Sequence, residues 1–140
     1  MSLSALRVLC VDDNRDAADS EAMLLEMIGC DVAVSYDGAS ALAEALRFRP
    51  DICLIDYNMP HVDGCTLARR LKKWRPADSI YLIAVTAHGS DDVRQETTRA
   101  GFDRHFVKPV PWHDLAGALA DVERALGRAE LVSAQRVLAD

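Results

Sequence analysis

Ile52-Cys53-Leu54-Ile55-Asp56-Tyr57-Asn58-Met59-Pro60 is the stretch whose reading decides the fold. Four apolar residues run straight into one carboxylate, and turn chemistry follows at once. A short apolar run bounded in this way suits a strand buried on both faces. Asp56 then stands at the strand's carboxyl end, the edge where open α/β sheets bind ligands. Asn58 and Pro60 suit a loop, and the residue before a proline is biased away from helix. A carboxylate held by a strand and presented by a loop is a nucleophile, a metal ligand, or both. The plainer alternative is an acid that caps the next turn.

The same alternation of strand and helix continues on either side. Upstream, Leu6 to Val11 is an apolar run ending in Asp12-Asp13-Asn14. Asp16 to Ile28 carries Ala18, Ala22, Leu25 and Ile28 at helical spacing, and Gly29 marks its end. Val32, Val34 and Tyr36 alternate as in a strand near a sheet edge. Asp37-Gly38 is a turn and an N-cap, and Ala39 to Phe48 is an Ala-rich helix stopped by Pro50. Downstream, Asp63-Gly64 opens a helix with Leu67, Leu71 and Trp74 on one face, stopped at Pro76. Ile80 to Val85 is another buried run and ends in Thr86. Ser90-Asp91-Asp92 starts a weakly apolar helix that runs to Ala100 and stops at Gly101. Phe102 to Val107 is a fifth strand, ending in Lys108-Pro109. Leu115, Ala118, Leu119, Val122 and Leu126 form one stripe of a final helix.

Strand and helix thus alternate five times. The expected architecture is α/β: a doubly wound, five-stranded parallel sheet with five helices on both faces and right-handed crossovers. Residues 1–127 form one domain. Residues 128–140 keep apolar spacing at Leu131, Val132, Val137 and Leu138, and read equally as a helical extension or as a connector.

Composition narrows the function classes. The chain has 140 residues, half of them apolar, and a formal net charge of −6. There is no basic footprint of the kind that direct nucleic-acid binding needs. No apolar run approaches a membrane span, and Met1-Ser2-Leu3-Ser4-Ala5 lacks the features of a signal peptide. Cys10, Cys30, Cys53 and Cys65 form no C-x-x-C pair, and read as reduced thiols of a cytoplasmic protein.

In a parallel sheet the strand ends share one edge. Asp12-Asp13, Asp56, Thr86 and Lys108 therefore converge if strands one and three are neighbours. Three carboxylates so close repel and raise one another's pKa unless a cation neutralises them, and carboxylates with water are what Mg2+ prefers. Lys108 adds a fixed positive charge and Thr86 a hydroxyl. Two cations and a hydroxyl around a carboxylate nucleophile fit a phosphoryl group. Each piece alone has an ordinary reading as a turn acid, a strand-end Thr or a solvated Lys; together, in this order, they are specific.

From about residue 5 to 127 the chain resembles the receiver domain of two-component response regulators. The matching motifs are V-D-D-N at 11–14, D-Y-N-M-P-H-V-D-G at 56–64, V-T-A at 85–87 and V-K-P at 107–109. The resemblance implies a flavodoxin-like sheet of order 2-1-3-4-5 and a cytoplasmic phosphorelay protein. It implies that Asp56 is the phosphate acceptor and that Asp12, Asp13, Asp56 and the Asn58 backbone carbonyl hold Mg2+. Thr86 is then the switch hydroxyl, and Lys108, in a cis bond to Pro109, contacts the phosphoryl oxygens. Asn58 and His88 flank the cleft and would govern water's access to the acyl phosphate. Its partners would be a sensor histidine kinase or phosphotransfer protein and an unknown output partner or domain. It would neither span a membrane nor bind nucleic acid directly, and a weak homodimer through the last two helices stays open.

The family usually has Tyr or Phe where this chain has His105. His105 is therefore expected to lie in solvent and swing toward the sheet once Thr86 moves, changing the face of helix 4, strand 5 and helix 5. The stretch Ala100-Gly101-Phe102-Asp103 resembles receivers attached to hybrid sensor kinases. Three other readings compete. A haloacid-dehalogenase-type phosphohydrolase would need an acid where Asn58 stands and an acid pair after the nucleophile. A pseudo-receiver would not need five intact polar residues. A flavodoxin-like cofactor binder would need a Ser-, Thr- or Gly-rich loop where Asp12-Asp13 stand.

Overall fold

The computed structural model describes residues 6–60, 62–75 and 80–139, with side chains as far as residue 126. The expected leader at 1–5, His61 of the acceptor motif and the helix stop at Pro76 lie outside the described residues. The chain divides into two compact units, Met1–Pro109 and Val110–Asp140.

The first unit contains β1 (Arg7–Val11), α1 (Arg15–Met27), β2 (Asp31–Ser35), α2 (Gly38–Phe48) and β3 (Ile52–Asp56). It continues with α3 (Gly64–Trp74), β4 (Tyr81–Thr86), α4 (Asp91–Ala100) and β5 (Arg104–Val107). All strands run parallel in the order β2-β1-β3-β4-β5, as the alternation of elements implied. β3 is buried along its whole length, which is why its sequence reads as continuous apolar residues rather than alternation.

Side chains still alternate between faces. Leu9, Val11, Cys53, Ile55, Leu82 and Ala84 form one core with residues of α2, α3 and α4, including Ala41, Ala45, Leu67 and Leu71. The opposite face carries Cys10, which meets Glu21 of α1. Burying these apolar side chains supplies the main driving force for the layers to pack.

Helix starts follow capping chemistry. Asn14, Asp37, Asp63 and Ser90 each accept an amide of the first turn of α1, α2, α3 and α4. The end of β2 differs from the sequence reading, whereas α2 ends at Phe48 as expected. β2 stops at Ser35 rather than Tyr36, because its ladder with β1 ends there: Val11 pairs with Ser35, and the Asp12 amide makes the last bond to the Ser35 carbonyl at 3.1 Å. The Tyr36 phenol donates to Asp19 at 2.6 Å, and its ring lies under Arg15. The C-cap of α2 is Arg49, whose backbone is left-handed at φ 54, just before Pro50. A right-handed residue there would clash with the proline ring.

The second unit carries α5 (Trp112–Ala139), one helix that continues past residue 127 without a break. Leu115, Ala118, Leu119 and Val122 of the expected stripe are buried. No described helix is long and apolar enough to cross a membrane. All four cysteines are free thiols and buried.

Candidate functional site

Strand register builds the site. Val11 pairs with Ile55 across β1 and β3, so Asp12 and Asp56 come next on adjacent strands. Asp56 pairs with Val85, and Thr86 pairs with Val107. Thr86 and Lys108 therefore rise one and two steps beyond the level of the acids. Sequence-distant groups are thereby brought to one edge by ladder hydrogen bonds alone.

Asp12, Asp13 and Asp56 each offer a carboxylate oxygen within 4.8 Å of the others. The Lys108 ammonium donates to Asp12 Oδ2 at 3.1 Å and lies 3.8 Å from Asp56 Oδ1. Asp12 Oδ1 accepts the Asn14 amide at 2.9 Å, and Asp56 Oδ1 accepts the Asn58 amide at 3.2 Å. Asp12 and Asp56 are buried, whereas Asp13 and Asn58 are exposed. Burial and the neighbouring charge of Asp12 push the Asp56 carboxyl up to about 7, against the pull of Lys108. The Lys108–Pro109 bond is cis. α3 begins very close to the acceptor loop: a Cβ on Gly64 would stand 2.7 Å from the Asp56 carbonyl oxygen. Only a glycine lets that helix start where it does.

Thr86 is fully buried, and its hydroxyl is engaged locally. It donates to the His88 carbonyl and accepts the His88 amide, each at 3.2 Å. The His88 side chain is exposed.

His105 is not in solvent as expected. It is half-buried, and its Nδ1 lies 3.3 Å from Thr97 Oγ1 on α4. The Thr97 hydroxyl gives its only proton to the Arg94 carbonyl at 3.0 Å, so the imidazole Nδ1–H must be the donor to Thr97. Nε2, unprotonated in the neutral ring, is buried and without a hydrogen-bond partner among the described residues. Burial and the Arg94 charge hold the ring's pKa below its ordinary value. The physical reason for the inward position is Thr97, a buried polar residue on α4 that offers the ring an acceptor.

The response regulator receiver domain family matches residues 8–120. This chain belongs to that family. The receiver resembles the DNA-binding dual master transcriptional regulator RpaA of Synechocystis sp., with 31% identity over 90% of this chain and 51% of that protein. The transcriptional regulatory protein PrrA of Mycobacterium tuberculosis is 32% identical over 94% of this chain and 55% of its own length. The receiver thus spans about half the length of these curated relatives. Among solved structures, a CheY-like receiver domain protein from Methanospirillum hungatei JF-1 superposes with a TM-score of 0.82 at 27% identity. That match covers 90% of this chain and 99% of the other.

Two features of this receiver lie outside the residues singled out from sequence. Glu21 of α1 is directed at Cys10 behind the acidic cluster, and burial pushes its carboxyl up to about 7. Its sequence signal is an acid three residues after Ala18 and four before Leu25, on the helix's apolar face. Tyr57, next to Asp56, donates its phenol to the Glu96 carboxylate of α4. No local pattern announces that contact, because it joins residues 39 positions apart.

Proposed function

We propose that Asp56 is the phosphoacceptor of a phosphorelay, charged by the phosphohistidine of a sensor histidine kinase or of a phosphotransfer protein. The observation that carries this reading is the convergence of Asp12, Asp13 and Asp56 within 4.8 Å beside Lys108. In the transfer, an Asp56 carboxylate oxygen bonds to phosphorus as the P–N bond to the donor imidazole breaks. The imidazole keeps that electron pair and takes up a proton.

Mg2+ fits the donor set, since crowded carboxylates with a raised pKa are what a hard divalent cation relieves. Asp12, Asp13, Asp56 and the Asn58 backbone carbonyl would hold it, and when bound it supplies positive charge against the phosphoryl oxygens. Lys108 contributes a second positive charge on the same group. Asn58 and His88 stand at the cleft and set how readily water reaches the acyl phosphate. The domain is a switch that catalyses only its own phosphorylation and dephosphorylation.

Phosphorylation would draw the Thr86 hydroxyl from the His88 backbone to a phosphoryl oxygen. β5 is paired to β4 at Thr86, so the movement reaches His105 and, through Thr97, α4. The surface of α4 and β5, with α5 following in sequence, then reads out to an output partner or a further domain. We assign residues 1–127 to the receiver and 128–140 to a helical extension or connector. A cytoplasmic location and a weak homodimer accord with this reading, with no direct hold on membrane or nucleic acid.

Treatment with a small phosphodonor and Mg2+, followed by intact-mass measurement, tests the acceptor. The parent should gain one phosphoryl group and Asp56→Asn none; an equal gain in the variant removes Asp56 from the mechanism.

A further inference from the structure

An open groove of about 580 Å3 lies between α3 and the end of α4, and none of its residues enters the chemistry above. Its wall carries Arg69, Lys72 and Lys73 from α3, Arg99 from α4, and Phe102 and Asp103 beyond it. Four cations thus meet one acid in a chain whose net charge is −6.

The single acid is already spent. Asp103 accepts the Lys72 ammonium at 3.0 Å and the Leu82 amide at 2.8 Å. Lys72 also donates to the Ile80 carbonyl at 2.9 Å. Arg69, Lys73 and Arg99 make no side-chain hydrogen bond or ion pair among the described residues. Cations in the last turn of a helix complement its dipole, which accounts for Lys72 and Lys73 on α3 and Arg99 on α4. Arg69 lies a turn earlier, serves neither helix end, and still lines the same space.

The volume falls in the range of small-molecule sites, which pair an apolar lining with a few convergent polar groups. Guanidinium groups bind phosphate oxygens through paired N–H donors and also stack on flat rings. We propose that this groove binds a nucleotide-type ligand, with its phosphates among Arg69, Lys73 and Arg99 and its ring against the apolar lining. This proposal stands apart from the phosphoacceptor reading.

Calorimetric titration with nucleoside diphosphates tests it, with inorganic pyrophosphate and a poly-glutamate peptide alongside. EDTA keeps any divalent ion from bridging phosphate to Asp12, Asp13 and Asp56. The expected result is saturable nucleotide binding that weakens with added salt and falls roughly tenfold for each of Arg69→Ala and Arg99→Ala. Both residues are exposed, and an unchanged thermal melt excludes misfolding. Asp56→Asn should bind the nucleotide as the parent does, which separates this site from the acceptor. No saturable binding, or equal affinity in the double variant, overturns the proposal. Pyrophosphate binding as tightly as the nucleotide, or poly-glutamate alone binding, overturns it as well.

Discussion

Glu21 shares the inner side of α1 with Ala18, Ala22 and Leu25, so its half-buried carboxyl loses much of its water and has the Cys10 thiol in exchange. Burial is the main reason that it rises from an ordinary 4.5 to about 7; the Cys10 thiol opposes the rise and Asp12 adds to it. Asp56 rises from 3.8 to about 7, for burial first and Asp12 second. Between these ordinary values and about 7, the folded protein binds more protons than the unfolded chain. Their contribution to stability is full below about pH 4 and is lost as pH rises through about 7. In EDTA the melting temperature should therefore fall between about pH 5 and pH 8; a rise across that interval would contradict the assignment. Glu21→Leu should gain about 1–2 kcal/mol near pH 8 and little near pH 5, measured by urea unfolding at both. The five polar residues at the sheet edge are legible in sequence because each follows an apolar strand. Glu21 is harder to see because the amphipathic pattern of α1 is carried by Ala18, Ala22 and Leu25, and a single acid among them leaves that pattern unchanged.

The helices differ in how firmly their ends and faces are fixed. α2 closes on Arg49 in a left-handed conformation that costs an L-residue about 1–2 kcal/mol. The side chain is exposed, so Arg49→Gly should stabilise the protein by about 0.5–1 kcal/mol after glycine's own entropy cost, readable as a higher urea midpoint. Pro50 announces that α2 must stop; it does not announce that the preceding residue takes a strained form. α4 buries only Thr97 and Ala100 and leans on polar ties, His105 to Thr97 and Tyr57 to Glu96. A helix with so small an apolar face can be rebalanced by a few kcal/mol of new bonding. His105→Ala removes one tie. With a beryllofluoride mimic of the phosphoryl group, the NMR resonances of residues 90–100 should shift less in the variant than in the parent. Equal shifts would leave Thr86 alone to carry the signal. The sequence places His105 on β5 correctly, but its exposure depends on Thr97, which lies on a neighbouring element and has no mark of its own.

At the scale of the whole chain, the order β2-β1-β3-β4-β5 is readable because parallel strands end in chemistry only when those ends meet. The continuation of α5 through Gly127 is less readable, since an interior glycine costs about 1 kcal/mol and reads as a stop. Mg2+ should act on the folded protein as a whole. Saturating the acidic cluster relieves its repulsion, and at 100 times the dissociation constant the gain is about 2.7 kcal/mol. Thermal melts at about pH 8 with and without Mg2+ should differ by several degrees, and Asp13→Asn with Asp56→Asn should abolish the difference. An unchanged parent melt would remove the metal from the site.

Lys108 and Asp12 meet across 96 positions of chain, and the backbone of Arg7 reaches the Asp51 carboxylate across 44. Contacts so distant in sequence form late and slowly, because the intervening loops must close before any of them is rewarded. During synthesis the nucleophile is made well before its cation, and the acid cluster has no fixed counter-charge until the fifth strand docks. Competence for phosphoryl transfer should therefore arrive with the slowest step of folding. Partly folded chains should stay silent to a phosphodonor, so that a signal enters only through molecules that have completed their sheet; intact-mass measurement during refolding should show phosphoryl gain no earlier than recovery of the native fold.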